Sequence, residues 1–297
     1  MAQLAEAWAE RSRFERKWPP LAPGAGEPKG ESRVTKAARS GAGKSGPLGI
    51  VSALPEESGS HALIPGRGRK IELGGFHFRP GRIDGHPVVL AEAGVGKVAT
   101  ALVGGLLLDR FGCRGLIFSG VAGGLDLKLA IGDVVIADEL VQHDYGAVVK
   151  GRLKSFRPGE APIGVARNRF IFSLAPALRR AIAKSIVGLE LPSLPGALQG
   201  KRRPRVVLGR VLSGDQFVNC ASTRTRLAKE FHGQAVEMEG AALAQVAERF
   251  GVPCVVVRCL SDLAGSDSHV DFKAFLPAAA AAAAAVVHRL IPVIVAS

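Results

Sequence analysis

The stretch GIVSALPEE, Gly49–Glu57, decides how this chain folds. It begins as a short apolar run, typical of a buried strand, and ends in two acids, which suit the first turn of a helix. SGDQFVN at Ser213–Asn219 and RCLSD at Arg258–Asp262 likewise continue or close an apolar run. In an open α/β protein these positions are the carboxyl ends of strands, where ligand sites gather.

Three acids lie at predicted strand ends. They are Glu57, Asp262 and Glu239, the last in the segment VEMEG at residues 236–240. Each has an ordinary structural explanation when taken alone, because the two glutamates suit helix first turns and Asp262 suits an N-cap. That explanation accounts poorly for all of them at once. With Phe217 nearby, the set suits acid/base chemistry on a planar base joined to a polar sugar.

Strands alternate with helices from about residue 47 to 291, which predicts a single-domain Rossmann-like α/β fold over residues 47–297. We expect a mixed central sheet with helices on both faces. Strands are predicted at Leu48–Leu54, Ile71–Phe78, His86–Ala91, Gly115–Ser119, Asp133–Val141, Val206–Leu212 and Cys254–Leu260. A turn through Pro80–Gly85 is expected to join the second of these strands to the third. Helices are predicted at Lys97–Phe111, Leu174–Ile186, Ser222–Phe231 (with Ser222 as N-cap), Gly240–Phe250 and Asp271 to about Leu290.

Residues 1–46 are rich in Ala, Gly, Pro, Arg and Glu, and we expect a disordered basic extension. The net charge of +13 and the pI of about 10.1 raise the question of nucleic acid. The basic clusters, including KRRPR at Lys201–Arg205, are not interleaved with aromatic residues. We therefore expect no specific nucleic-acid partner.

The four cysteines form no CxxC pair, which favours free thiols in a reducing cytosol and no metal site. No signal-peptide core is present in the first 30 residues, and no apolar run approaches the length of a membrane span. The sequence thus predicts a cytoplasmic protein without a membrane partner.

Several of these segments together resemble the nucleoside phosphorylase superfamily, and within it the 5′-methylthioadenosine/S-adenosylhomocysteine nucleosidases. The resemblance runs from about Leu48 to Leu290. It is carried by Gly49–Glu57, Ala93–Ala99 (AGVGKVA), Ser119–Asp133 (SGVAGGLDLKLAIGD), His143-Asp144, Ser213–Asn219, Ala235–Ala241 (AVEMEGA) and Val255–Asp262 (VVVRCLSD).

The resemblance implies hydrolysis of the N-glycosidic bond of adenine nucleosides without a cofactor. Glu57 would activate water, and Asp262 would give a proton to purine N7, since the departing base needs a general acid. Phe217 would stack on the base, the Val218 backbone would contact its edge, and Glu239 would bind the ribose hydroxyls. The remaining implied substrate contacts are Gly123, Met238, Arg258 and Ser261.

This chain departs from the family pattern at two positions. Val121 replaces a serine beside the water site, and Lys150 aligns near an aromatic residue that covers the 5′-substituent from a neighbouring subunit. Both departures bear on the preference for a 5′-thioether. The basic residues around Lys150 would suit an acidic substituent if they reach the pocket.

Phosphorolysis is the main alternative, and it needs cationic groups around phosphate. The segment Ser58–Ala62 offers no arginine, and the second position where related phosphorylases carry one is Phe118. Water is therefore the favoured nucleophile. A nucleosidase for futalosine-type substrates and a non-catalytic nucleoside-binding protein remain open, and the resemblance implies a homodimer, with Val134–Val141 and the segment after His143 as its expected contacts.

Overall fold

The computed structural model describes residues 46–61, 63–65, 70–162, 170–191, 203–265 and 268–297. The predicted N-terminal extension, apart from Gly46, and the first two residues of the basic loop Lys201–Arg205 lie outside the described residues.

Strand β1, Leu48–Ser52, is buried along its whole length at the middle of the sheet. It pairs in parallel with β5, His86–Glu92, on one side and with β6, Gly115–Gly124, on the other. An apolar run covered on both faces is the sequence pattern of such a central parallel strand. The short turn of helix after β1 therefore places Glu57 in the interior of the domain and leaves Glu56 exposed.

Five strands form a closed ring, and one of them, β6, pairs with β1. In addition to β6, they are β7 (Val134–Gln142), β11 (Val206–Ser213), β12 (Ala235–Glu237) and β13 (Cys254–Asp262). β13 pairs in parallel with β6 and antiparallel with β7, and β12 pairs antiparallel with β6, so the sheet is mixed as predicted. This closure brings the ends of β6, β12 and β13 together, with Gly123 opposite both Val236 and Asp262.

The remaining strands lie toward the edges. They are β2 (Ile64–Pro65), β3 (Ile71–Leu73), β4 (Phe76–Ile83) and β10 (Ile171–Ser173), while β8 (Gly146–Val149) and β9 (Arg152–Ser155) form a separate hairpin.

Helices cover both faces of the sheet, which confirms the predicted fold class. They are α1 (Pro55–Gly59), α2 (Lys97–Arg110), α3 (Pro176–Ser185), α4 (Ala221–Phe231), α5 (Gly240–Phe250) and α6 (Ser268–Val295). One core cluster joins α2 and α5 to the sheet through residues such as Leu107 and Leu243. A second joins α3 and α6 through Ile182 and Leu290.

Helix α6 is longer than predicted, and its segment Phe272–Val295 is long and apolar enough to cross a membrane by length and composition. The prediction that no apolar run approaches that length was therefore wrong. Its apolar side chains, among them Val286, Leu290 and Ile291, are fully buried in the second core cluster. Packing against the sheet thus accounts for the apolar composition of this helix.

Other boundaries differ from the predictions for local reasons. The single strand predicted at Ile71–Phe78 is split by a turn at Gly74-Gly75, where both residues have positive φ. The predicted turn through Pro80 is instead part of β4, and the chain reverses at Asp84-Gly85. Cys220, not Ser222, occupies the N-cap of α4.

Strand β6 extends through Gly120–Gly124, where the sequence predicts that the strand has already ended. Its glycines leave space that functional side chains occupy. A Cβ built at Gly120 would overlap Arg258 Nη1 and would lie 2.5 Å from Glu57 Oε1. Only glycine at this position lets both side chains lie against the strand.

We expect Gly120→Ala to lower the free energy of unfolding by about 1–3 kcal/mol, the usual cost of overpacking. Gly105→Ala is the matched control, because a Cβ at that position in α2 meets nothing within 4 Å. Alanine in a helix is favoured over glycine, so the control should gain up to about 1 kcal/mol. Urea denaturation measures both, and equal stability of the two variants would contradict the packing described for β6.

Candidate active site

A cavity of about 240 Å³ lies where the ends of β1, β6, β12 and β13 meet. Most residues predicted to bind or convert a substrate line it. The lining consists of Ala53, Leu54, Glu57, Val95, Val121, Ala122, Gly123, Phe217, Val236, Glu237, Met238, Glu239, Arg258, Ser261, Asp262 and Phe272. Val218 lines a small recess beside it.

Glu57 lies in the short helix α1 and is only 2% exposed. Its Oε2 accepts hydrogen bonds from the backbone N–H groups of Ala53 and Leu54 at 2.8 and 3.0 Å, and its Oε1 accepts one from Val121 at 3.0 Å. Burial raises the pKa of Glu57 above its usual value, although Arg258 and these N–H donors oppose the shift. The carboxyl group is thus fixed in position, and its pKa is moved toward neutral pH.

Arg258, the most voluminous fully buried side chain, lies on β13 between the carboxylates of β12 and α5. Its Nη2 donates to Glu237 Oε2, and lies 3.1 Å from Glu239 Oε2. Its guanidinium carbon is 4.0 Å from the centre of the Phe118 ring. Burial alone would lower the pKa of Arg258, but the surrounding glutamates raise it, so the charge is retained.

Glu239, at the N-cap of α5, joins two sides of the cavity. Its Oε1 accepts a hydrogen bond from the backbone N–H of Gly96 at 2.9 Å, and its Oε2 faces Arg258. Burial raises its pKa to about 7, with Arg258 acting against the shift and Glu237 adding to it. This carboxyl group therefore changes charge near neutral pH.

Asp262 ends β13 and is 2% exposed. Its Oδ1 accepts a hydrogen bond from the backbone N–H of Ala264 at 2.8 Å, and its Oδ2 accepts one from Ser261 Oγ at 3.0 Å. Asp262 pairs in the sheet with Gly123, so it lies directly beside the end of β6. Ser261 therefore helps to hold the Asp262 carboxylate in place through its hydrogen bond.

The opposite part of the cavity is apolar. Phe217, half exposed in the loop between β11 and α4, meets Phe272 of α6 edge to face, with ring centres 6.0 Å apart. Val95 and Met238 add further apolar surface to the cavity. Such a surface suits a flat aromatic group and an apolar substituent.

Sequence reasoning missed Glu237 and Phe272. Glu237 alternates with Glu239 in the VEMEG segment, and this two-residue spacing was the available signal that both point the same way. Glu237 Oε2 also accepts hydrogen bonds from the N–H groups of Glu239 and Gly240, which fixes the start of α5. Phe272 carries no local signal, because only the path of α6 brings it to the cavity.

The charges around the cavity disfavour an anionic nucleophile. Glu57, Glu237 and Glu239 face a single guanidinium, and Arg258 is the only cation among the described residues lining the cavity. Phe118 stacks on that guanidinium and offers no phosphate contact. Lys150 lies at the exposed turn between β8 and β9 and does not line the cavity.

Comparison with known proteins agrees with this geometry. The sequence profile of the Phosphorylase superfamily matches residues 47–292. The chain is 44% identical over 250 residues to the 5′-methylthioadenosine/S-adenosylhomocysteine nucleosidase of Mycobacterium tuberculosis, covering 84% of this chain and 98% of that protein. It is 34% identical to the aminodeoxyfutalosine nucleosidase of Helicobacter pylori, covering 77% and 90%.

Among solved structures, the methylthioadenosine/S-adenosylhomocysteine nucleosidase of Helicobacter pylori, complexed with a pyrrolidine inhibitor, superimposes with a TM-score of 0.70 at 29% identity. The alignment covers 84% of this chain and 98% of that one. The native futalosine hydrolase of the same organism gives a TM-score of 0.69 with the same coverage. By its sequence profile, its relatives and its fold, the chain belongs to the phosphorylase superfamily.

Proposed function

We propose that the chain is a purine nucleosidase that hydrolyses the N-glycosidic bond of 5′-substituted adenosines and releases adenine. The observation that carries the proposal is the convergence of buried Glu57 and Asp262 from different strand ends on one cavity. Its relatives support the proposal, because they are named as nucleosidases of 5′-methylthioadenosine and S-adenosylhomocysteine or of aminodeoxyfutalosine.

In the proposed reaction a water molecule attacks C1′ of the ribose. The C1′–N9 bond breaks, its electron pair goes to the purine, and a proton from Asp262 reaches N7. Glu57 accepts a proton from the water, and its raised pKa makes its carboxylate a stronger base. Acid and base act on opposite sides of the bond, as in inverting glycoside hydrolysis.

Other residues that line the cavity bind the sugar and the base. Glu239 accepts hydrogen bonds from the ribose hydroxyls, and Arg258 holds it in place with an ion pair. Phe217 stacks on the purine. The negative charges of Glu57 and Glu239 also stabilise the positive charge that develops on the sugar in the transition state.

A 5′-thioether is the substituent that the described cavity fits best. Phe217 and Phe272 present apolar surface, and Arg258 is already paired with carboxylates. Methylthioadenosine and S-adenosylhomocysteine are therefore the proposed substrates. A carboxylate-bearing, futalosine-type adenosine is the second candidate, because one relative is named as an aminodeoxyfutalosine nucleosidase.

We propose that the chain forms a homodimer in the cytoplasm, with its four cysteines as free thiols. The prediction that Val134–Val141 is a dimer contact is wrong. This strand is paired on both sides inside the sheet, and its apolar residues are buried. Val98 and Leu102, one turn apart on α2, are 82% and 50% exposed, and Val148 after His143 is 76% exposed. These residues form the proposed interface.

Light scattering on the Val98→Asp, Leu102→Asp double variant tests this interface. Two buried charges at an apolar contact should shift the protein from dimer to monomer at micromolar concentration. A wild-type protein that is monomeric and fully active would contradict the proposal.

Glu57→Gln and Asp262→Asn should each lower adenine release by on the order of 10²–10⁴-fold, because neither amide can transfer the required proton. Glu56→Gln is the matched control, since Glu56 is the neighbouring acid and is exposed. Chromatography of the products from methylthioadenosine measures all three. Wild-type turnover in either active-site variant would rule out the assigned roles.

The wild-type kcat/KM should also fall at acidic pH. The raised folded-state pKa of Glu57 means that the carboxylate is lost as the pH falls through that value, and with it the base.

The choice of substituent is tested by comparing kcat/KM for methylthioadenosine and for a carboxylate-bearing adenosine. We expect the thioether to be the better substrate and Lys150→Ala to leave the ratio unchanged. A preference of roughly tenfold for the carboxylate, which corresponds to about 1.4 kcal/mol, would overturn the assignment if Lys150→Ala weakened it.

A further inference from the structure

Lys97, the first residue of α2, lies just outside the cavity and holds two carboxylates. Its Nζ is 2.5 Å from Asp144 Oδ1 and 3.5 Å from Asp215 Oδ2. Its backbone N–H donates to Asp215 Oδ1 at 2.9 Å, and the N–H of Asp215 donates to Asp144 Oδ2 at 2.8 Å. These contacts form a closed ring in which each of the three residues contacts the other two.

The three residues belong to three different segments around the cavity. Lys97 starts α2, Asp144 follows the end of β7, and Asp215 lies in the loop between β11 and α4. Asp215 is two residues from Phe217, the predicted base-stacking ring. The ring of contacts therefore fixes the base-binding loop relative to α2.

The same lysine also fixes a donor to the sugar-binding carboxylate. Gly96, immediately before it, has a φ of 104° and donates its N–H to Glu239 Oε1 at 2.9 Å. A Cβ at Gly96 would lie 3.4 Å from Asp215 Oδ1, so the turn packs directly against the ring of contacts. A shift of Lys97 would move this donor.

Charge explains why the ring needs the lysine. The Lys97 side chain is 16% exposed and the Asp144 side chain 21% exposed, so water screens their charges only partly. Burial alone would raise the pKa of Asp144, but the hydrogen bonds from Lys97 and from the Asp215 N–H lower it on balance. Without the lysine, two neighbouring carboxylates would repel each other and the segments that carry them would separate.

We propose that Lys97 is a positioning residue that couples the base-binding loop to the sugar-binding carboxylate, and so sets substrate affinity without touching the substrate. The inference rests on the proposed nucleosidase function. It adds a residue outside the cavity to those that determine how tightly the nucleoside binds.

Lys97→Met should raise KM for methylthioadenosine roughly tenfold or more, because small displacements of positioned groups have effects of this order or larger. The chemical groups Glu57 and Asp262 stay in place, so kcat should fall by a smaller factor than KM rises, and that fall reflects the transition-state charge that Glu239 also stabilises. Lys97→Arg, which keeps the charge, should restore most of the affinity.

The pH profile gives a readout that general destabilisation would not produce. Glu239 is faced by Arg258 from β13, Glu237 from β12 and Glu57 from α1, and the Gly96 N–H helps to keep it ionised. Loss of that donor raises the pKa of Glu239 further from its value of about 7, so the acidic limb of kcat/KM should move to higher pH in Lys97→Met. The carboxylate is lost as the pH falls through the folded-state pKa.

Arg157→Met is the matched control, because Arg157 is 17% exposed and pairs with Glu248 away from the cavity. It should leave KM and the pH profile unchanged. Equal KM values and profiles for wild type and Lys97→Met, or equal shifts in both variants, would overturn the inference.

Calorimetric binding of adenine separates this inference from the proposed function. If the wild type binds adenine but releases none from methylthioadenosine, the proposed function fails, and the comparison of adenine affinity still tests Lys97. We expect weaker adenine binding in Lys97→Met than in wild type and Arg157→Met. Unchanged adenine affinity together with an unchanged KM would contradict the coupling.

Discussion

The site depends on the ion pairs that the buried guanidinium of Arg258 makes with the surrounding glutamates. Arg258 lies among Glu57, Glu237 and Glu239, with Phe118 against its face, and it is 1% exposed. Carboxylates at such depth would otherwise take up protons or draw in water. One arginine therefore allows several acids to occupy the same small cavity.

A gain in folding stability does not by itself explain why one arginine and several glutamates are buried together. Removing one partner of a buried ion pair typically costs about 3–5 kcal/mol, because the other charge is left uncompensated, whereas an apolar replacement of the whole set is often neutral or better. The backbone shows how closely the set is built into the fold. β6 has glycine at residue 120 against Glu57 and Arg258, and the start of α5 donates N–H groups to Glu237. The fold thus holds the acids in fixed positions before a substrate arrives.

The sequence was sufficient for much of this description, because the relevant residues sit at recognisable places. Glu57, Glu239 and Asp262 follow apolar runs, and strand ends meet in an α/β fold, so their convergence was predictable. Phe272 was not predictable, because only the path of α6 brings it to the cavity, whereas the two-residue spacing of Glu237 from Glu239 was a local signal for Glu237. The closed ring of five strands places Val134–Val141 inside the sheet, which a single apolar run does not distinguish from an interface. The turn was predicted to begin at Pro80, but Pro80 lies within β4, between the residues that pair with β3 and those that pair with β2, where the sheet tolerates a residue without an N–H group.

The central claim is that this site activates water and excludes phosphate. Adenine release from methylthioadenosine, followed with and without millimolar inorganic phosphate, tests it most directly when the sugar product is identified by mass spectrometry. We expect the same rate of adenine release in both conditions and a free methylthioribose product. A rate that requires phosphate, with a ribose 1-phosphate as product, would contradict it.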